Sequence, residues 1–223
     1  MKRLLSFLTV LLLVLPTAVD ASSTKVNNIG ITCQIDQNGT ATFVEKWDMD
    51  VSEGTEGYKI FNGMNDQPLT LIGVTDDRGV TYKNIGTWDS DVSRESKINK
   101  CGLIKDGGHY ELCFGLGDYG MRSYTMVYQI EHFVNQYKDQ QGINYAFISD
   151  MSLDVSNVTI HVTGMTPYSK ENAKIWAFGY SGSVNFDNGG VILKTDSLGS
   201  NKMQLLMKMQ ENGSIRLALL ITS

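Results

Sequence analysis

The chain has 223 residues, 42% of them hydrophobic and 19% charged, with a formal net charge of -5. That balance is too apolar for a disordered chain and too acidic for a nucleic-acid partner held mainly by phosphate contacts. Three cysteines are too few for a small disulfide scaffold, 22 glycines without a G-X-Y period exclude collagen, and the length suits one or two domains.

The chain opens with a targeting signal. Lys2 and Arg3 precede an apolar run over residues 4–15, interrupted only by Ser6 and Thr9. Pro16 ends the run, and Val19-Asp20-Ala21 offers small or modest residues to a signal peptidase. Residues 1–21 therefore read as a signal peptide cleaved between Ala21 and Ser22. The run is shorter than the ~20 residues that span a bilayer, and an uncleaved anchor is the alternative. No cysteine follows it to carry a lipid, and residues 217–221 are far too short for a membrane helix.

The rest reads as β. Ile29, Ile31, Cys33 and Ile35 alternate with Gly30, Thr32 and Gln34, Asp36-Gln37-Asn38-Gly39 supplies a turn, and Ala41, Phe43 and Trp47 share a face on the way back. Residues 25–48 are thus a predicted hairpin. Tyr124, Met126, Tyr128 and Ile130 mark another strand, and Val158, Ile160 and Val162 mark the cleanest half-buried one. Residues 203–209 and 214–222 flank Glu211-Asn212-Gly213 as a closing hairpin. Further turns fall at Asp77-Arg78-Gly79, Asp106-Gly107-Gly108 and Asp187-Asn188-Gly189-Gly190. Only residues 131–141 offer a short helix. The expected fold is mainly β: an antiparallel β-sandwich, one lobe over 22–155 and a second group of strands over 156–223, in the same domain or a small second lobe.

A three-residue loop at Asp106-Gly107-Gly108 would set Cys101 opposite Cys113, within disulfide reach in an oxidising compartment; two reduced cysteines are the alternative. Cys33 reads as a small buried hydrophobe. Cys101, His109, Cys113 and His132 also make a weak metal set, without a C-x2-C pair to support it. His161 falls on the polar face of its strand.

Several motifs match on paper and fail on context. Gly115-Leu116-Gly117-Asp118-Tyr119-Gly120 spells G-x-G-x-x-G but leads into a strand, whereas a dinucleotide loop leads into a helix. Gly179-Tyr180-Ser181-Gly182-Ser183 departs from a nucleophile elbow at its last position. Asp48-Met49-Asp50-Val51-Ser52-Glu53 departs from an EF-hand loop, with Glu53 in the glycine position and Lys59 in that of the bidentate glutamate. Trp88, Trp176 and Tyr180 are candidate exposed aromatics for a sugar-binding face, whereas Trp47 and Tyr128 lie on strand faces that suit a core.

The order of features resembles the exported N-terminal region of the predicted bacterial membrane proteins called domain of unknown function 2207. Gly39-Thr40-Ala41-Thr42-Phe43-Val44-Glu45 is similar to that family's D-G-(S/T)-x-x-V-x-E strand, and Gly57-Tyr58-Lys59-Ile60 to its G-x-Y-R-x-I segment, with Lys59 at or near the Arg. The strand over residues 120–130 looks like its G-x-x-x-Y-x-I-x-Y-x-V, and Tyr137-Lys138-Asp139 like its Y-x-D. Trp176-Ala177-Phe178-Gly179 with Gly182 looks like its W-x-x-G...G stretch. Tyr145-Ala146-Phe147 stands where a Trp would be expected. The resemblance implies location and a β fold, with members continuing into a transmembrane helix; it implies no cofactor and no catalytic residue.

Together these readings predict an exported, non-enzymatic envelope or extracellular module. Its partner would be an envelope or extracellular protein or a glycan. Nucleic acid is not expected, and membrane contact would come only through an uncleaved signal or a further C-terminal helix. A ligand-sensing or carbohydrate-binding domain is the alternative, and a wall-polymer hydrolase a more distant one.

Overall fold

A computed structural model describes residues 24–209 apart from 65, 139, 200 and 201. The predicted signal peptide with its Ala21–Ser22 junction, Asp139 and the predicted strand over 214–222 lie outside the described residues.

In chain order the first strands are β1 (Lys25–Ile35), β2 (Ala41–Val51), β3 (Glu56–Phe61), β4 (Leu69–Asp76) and β5 (Lys83–Thr87). A four-residue helix, α1 (Arg94–Lys97), precedes β6 (Lys100–Asp106), β7 (His109–Gly115), β8 (Gly120–Ile130), β9 (Asn135–Gln136) and β10 (Gln141–Ile148). The chain continues through β11 (Val155–Thr163), β12 (Ala173–Phe178), β13 (Ser183–Asp187), β14 (Gly190–Thr195) and β15 (Met203–Met209). They form three sheets: a seven-stranded one in the order β13-β14-β11-β1-β2-β8-β4, and two four-stranded ones, β12-β15-β10-β9 and β3-β7-β6-β5. The fold is thus mainly β with sheets packed on one another, as the sequence predicts.

The predicted β1–β2 hairpin forms, with Ile35 opposite Ala41. Its turn is fixed by the Asp36 carboxylate, which accepts the N–H groups of Asn38 and Thr40, and by Gly39 at φ 78°. The Asn188-Gly189 turn joins β13 to β14 with both residues at positive φ, the backbone that matches strand twist in a two-residue hairpin. The predicted helix over 131–141 does not form. His132 takes a positive φ, and the amides of Phe133 and Val134 bond instead to the Gly39 carbonyl. This draws both side chains into the core. The Val158–Ile160–Val162 strand is β11, which runs parallel to β1, so the hydrogen bonding of the large sheet crosses residue 155.

One face of β2 organises the core. Phe43 stacks on Tyr128 at 4.8 Å and touches Tyr145 and Phe147, which belong to β10. Four residues on, Trp47 meets Phe114 of β7 edge-on. Both small sheets therefore lie on the same face of the large sheet, with a seam between them. The opposite face of β2 is polar or exposed, as at Val44.

Candidate functional site

Period-two alternation puts Glu45 on the same buried face as Phe43 and Trp47, and this places a carboxylate at the seam. Glu45 is fully buried and Lys59 of β3 nearly so. The Lys59 ammonium donates to both Glu45 oxygens at 2.9 and 2.8 Å and to the Phe147 carbonyl of β10 at 2.7 Å, which uses all three of its donors. Trp47 Nε1 and the Tyr128 hydroxyl each donate to the Glu45 carboxylate at 2.7 Å. One ion pair thus ties all three sheets together. Burial, then the Glu45 charge, pushes the Tyr128 phenol well above its ordinary range, so it stays a donor.

Two further charged groups hold the periphery. Lys97 of α1 pairs with Glu56 at 3.1 Å and donates to Thr55 and to the Ser90 carbonyl. Arg122 pairs with Asp76 and Asp77. Burial alone would raise the Asp76 carboxyl, but the Val80 and Arg78 amides and the Arg78 side chain bond its charged form and hold it below its usual value.

Beside the seam lies a cavity of about 320 Å³. Trp47 and Met49 of β2, Gly57, Tyr58 and Ile60 of β3, Leu116, and the segment from Ser149 to Leu153 line it. Glu53, Glu56 and Asp150 supply its carboxylates, and among the described residues no basic side chain lines it. Glu56 is occupied by Lys97 and by Trp88. Glu53 and Asp150 are exposed and have no cationic partner among the described residues. Asp150 sits at φ 53° and accepts from the Asn62 amide, which fixes this part of the mouth.

The predicted site residues fall elsewhere. The loop joining β6 and β7 is Gly107-Gly108 alone, so Asp106 faces His109, Cys101 faces Phe114 and Cys113 faces Gly102. A shift of one residue turns a side chain to the other face of a strand, and the expected Cys101–Cys113 bond is replaced by two free, buried thiols. Trp88, expected to be exposed, is buried and donates to Glu56 at 2.5 Å. Trp176 is exposed on the edge strand β12, and Tyr180 is half-buried with its hydroxyl on the Ser183 carbonyl. The two tryptophans do not share a groove. His161 lies with Thr159 and Thr163 on the polar face of β11, as expected, but is half-buried there with Nε2 lacking a partner among the described residues. Cys33 is buried, and the Gly115–Gly120 run is a connection between two strands, as expected. Among the described residues no three His, Cys, Asp or Glu side chains converge to hold a metal, and no helix is long and apolar enough to cross a membrane.

Fold and seam define an all-β, three-sheet domain cross-tied by a buried ion pair, with a small-molecule-sized cavity beside the tie. A family model described as predicted membrane protein (DUF2207) N-terminal domain matches residues 25–206, and the chain belongs to that family. Both Glu45 and Lys59 sit in the stretches that carry the resemblance. No curated protein matches the chain. Among solved structures, native leukotriene A4 hydrolase from Saccharomyces cerevisiae is similar at TM-score 0.50 and 7% identity, over 83% of this chain and 29% of that one. A protein of Parabacteroides distasonis is similar at TM-score 0.48 and 10% identity, over 86% and 41%. An M1 zinc metallopeptidase from Deinococcus radiodurans is similar at 0.42 and 9%, over 82% and 42%. The chain therefore spans less than half the length of these structures, and the likeness is one of fold alone.

Proposed function

We propose that the chain is an extracytoplasmic, non-enzymatic interaction module of the cell envelope that holds its partner by the cavity beside the seam. The ligand class that fits is a cationic group on an apolar stem, such as a lysine side chain of a partner protein. The observation that carries this reading is the lining: apolar walls from Trp47, Met49, Ile60, Leu116 and Met151, and uncompensated carboxylates of Glu53 and Asp150 at the mouth. Its volume is at the low end of ligand sites. The N-terminal apolar run and the family's membrane description support the location. The use of Glu45, Glu56 and Asp76 in structural pairs supports a non-enzymatic role.

Protonated n-hexylamine tests the site, with hexanol and hexanoate as neutral and anionic counterparts. The amine is expected to change Trp47 emission and raise the melting temperature, hexanol to do so weakly and hexanoate not at all. Glu53→Gln with Asp150→Asn should abolish the preference. Equal binding of all three, or binding of none, overturns the proposal. Location is read separately by labelling Ser152→Cys in intact cells with an impermeant maleimide, against native thiols that are all buried.

A further inference from the structure

We propose that the outer face of the β12-β15-β10-β9 sheet docks on an anionic lipid surface, independently of the cavity. Cross-strand pairing fixes what this face presents. Lys174 lies opposite Lys208, Trp176 opposite Leu206, and Phe178 opposite Gln204. On the next strand Gly142, Asn144 and Ala146 follow in register. The alternate residues Ala173, Ile175 and Ala177 of β12 and Met207 and Leu205 of β15 turn to the core. Among the described residues the outward set thus contains two lysines, a tryptophan, a phenylalanine and a leucine, and no acid, in a chain whose net charge is -5.

Folding alone does not account for this arrangement. Like charges directly opposite on a sheet destabilise it, and neither lysine has an acidic partner among the described residues. Trp176 is 40% and Phe178 48% exposed beside them, on an edge strand. A partner that relieves the Lys174–Lys208 repulsion must bring negative charge, and one that covers the two rings must accept apolar groups at the same depth. The headgroup zone of an anionic bilayer does both: it attracts lysines and takes up aromatic rings. The last described strand, β15, lies in this sheet, and the family is described as one of predicted membrane proteins.

The test uses the whole chain with vesicles of phosphatidylglycerol and phosphatidylcholine, against phosphatidylcholine alone. Trp47 and Trp88 are buried, so a change in emission reports Trp176. Co-sedimentation with a blue shift is expected only with phosphatidylglycerol, weakening as salt rises. Lys174→Gln and Lys208→Gln should each weaken binding about five-fold while leaving far-UV circular dichroism unchanged and melting the same or slightly higher, and Trp176→Ser should remove the shift with the fold intact. Equal binding to phosphatidylcholine, or binding that survives both lysine substitutions, overturns the proposal. So does equally tight binding of soluble polyphosphate without an emission change, which would mark an anionic polymer as the partner.

Discussion

Replacing Lys59 by methionine keeps the aliphatic stem and removes the ammonium from the seam. The Glu45 carboxylate then stays fully buried with, among the described residues, Trp47 and Tyr128 as its remaining donors. The Phe147 carbonyl also loses the lysine as a donor. Breaking a buried pair by removing one partner costs ~3–5 kcal/mol, against ~0–1 kcal/mol for an exposed one. We expect Lys59→Met to lose about 4 kcal/mol, which for a domain of this size is a fall of roughly 8–16 °C in melting temperature. Urea unfolding followed by tryptophan emission and circular dichroism measures it. Glu45→Leu/Lys59→Met supplies the second arm, because it removes both charges. Its loss should fall short of the sum of the single losses by about 2 kcal/mol or more. A Lys59→Met loss under about 1 kcal/mol, or strict additivity in the double variant, would show that the pair does not bear on the junction of the sheets.

Other outcomes follow from neighbouring features. Alkylation in denaturant without reductant should add three groups by intact mass, because all three cysteines are free; a single adduct would restore the Cys101–Cys113 bond. On the folded protein, alkylation should be slow even in mild alkali, since burial pushes the Cys101 thiol up to about 11 and the Cys113 thiol up to about 12. The lowered Asp76 value gives stability that is complete above the ordinary carboxylate value of 3.8 and is lost as pH falls through the folded-state value. Asp76→Asn should therefore flatten the acid limb of a stability-against-pH curve, and an unchanged limb would remove Asp76 from the account. A Cβ added at Gly57 would stand 2.4 Å from the Phe114 ring, so Gly57→Ala should cost ~1–3 kcal/mol in urea unfolding; a neutral effect would mean that the ring moves freely.

The strands were legible because one face of each is wet. Alternation located β1, β2, β8 and β11 directly, the turn signal at Glu211-Asn212-Gly213 placed β15, and Asn-Gly marked two of the described turns. The same alternation put Glu45 on the core face between Phe43 and Trp47. A carboxylate in that register must find a cation, and this was the available signal for the seam. It could not name Lys59, which comes from another sheet and whose neighbours Gly57 and Phe61 give little periodic signal. The cysteine register failed on a single residue, since Asp106-Gly107-Gly108 reads equally as a three-residue or a two-residue loop. The cavity was not legible at all. Its walls come from β2, β3 and the segment after β10, which are brought together only by sheet stacking.

The parallel partnership of β1 with β11 bears on how the molecule is made. β1 lies in the middle of the large sheet, yet one of its neighbours arrives roughly 130 residues later in the chain. β15, in turn, must enter between β10 and β12, which precede it. A nascent chain thus carries open sheet edges until β15 has been made, and such edges invite pairing with other chains. Removing β15 would leave β10 and β12 without their shared neighbour, and an aggregating product is expected in place of a smaller stable one.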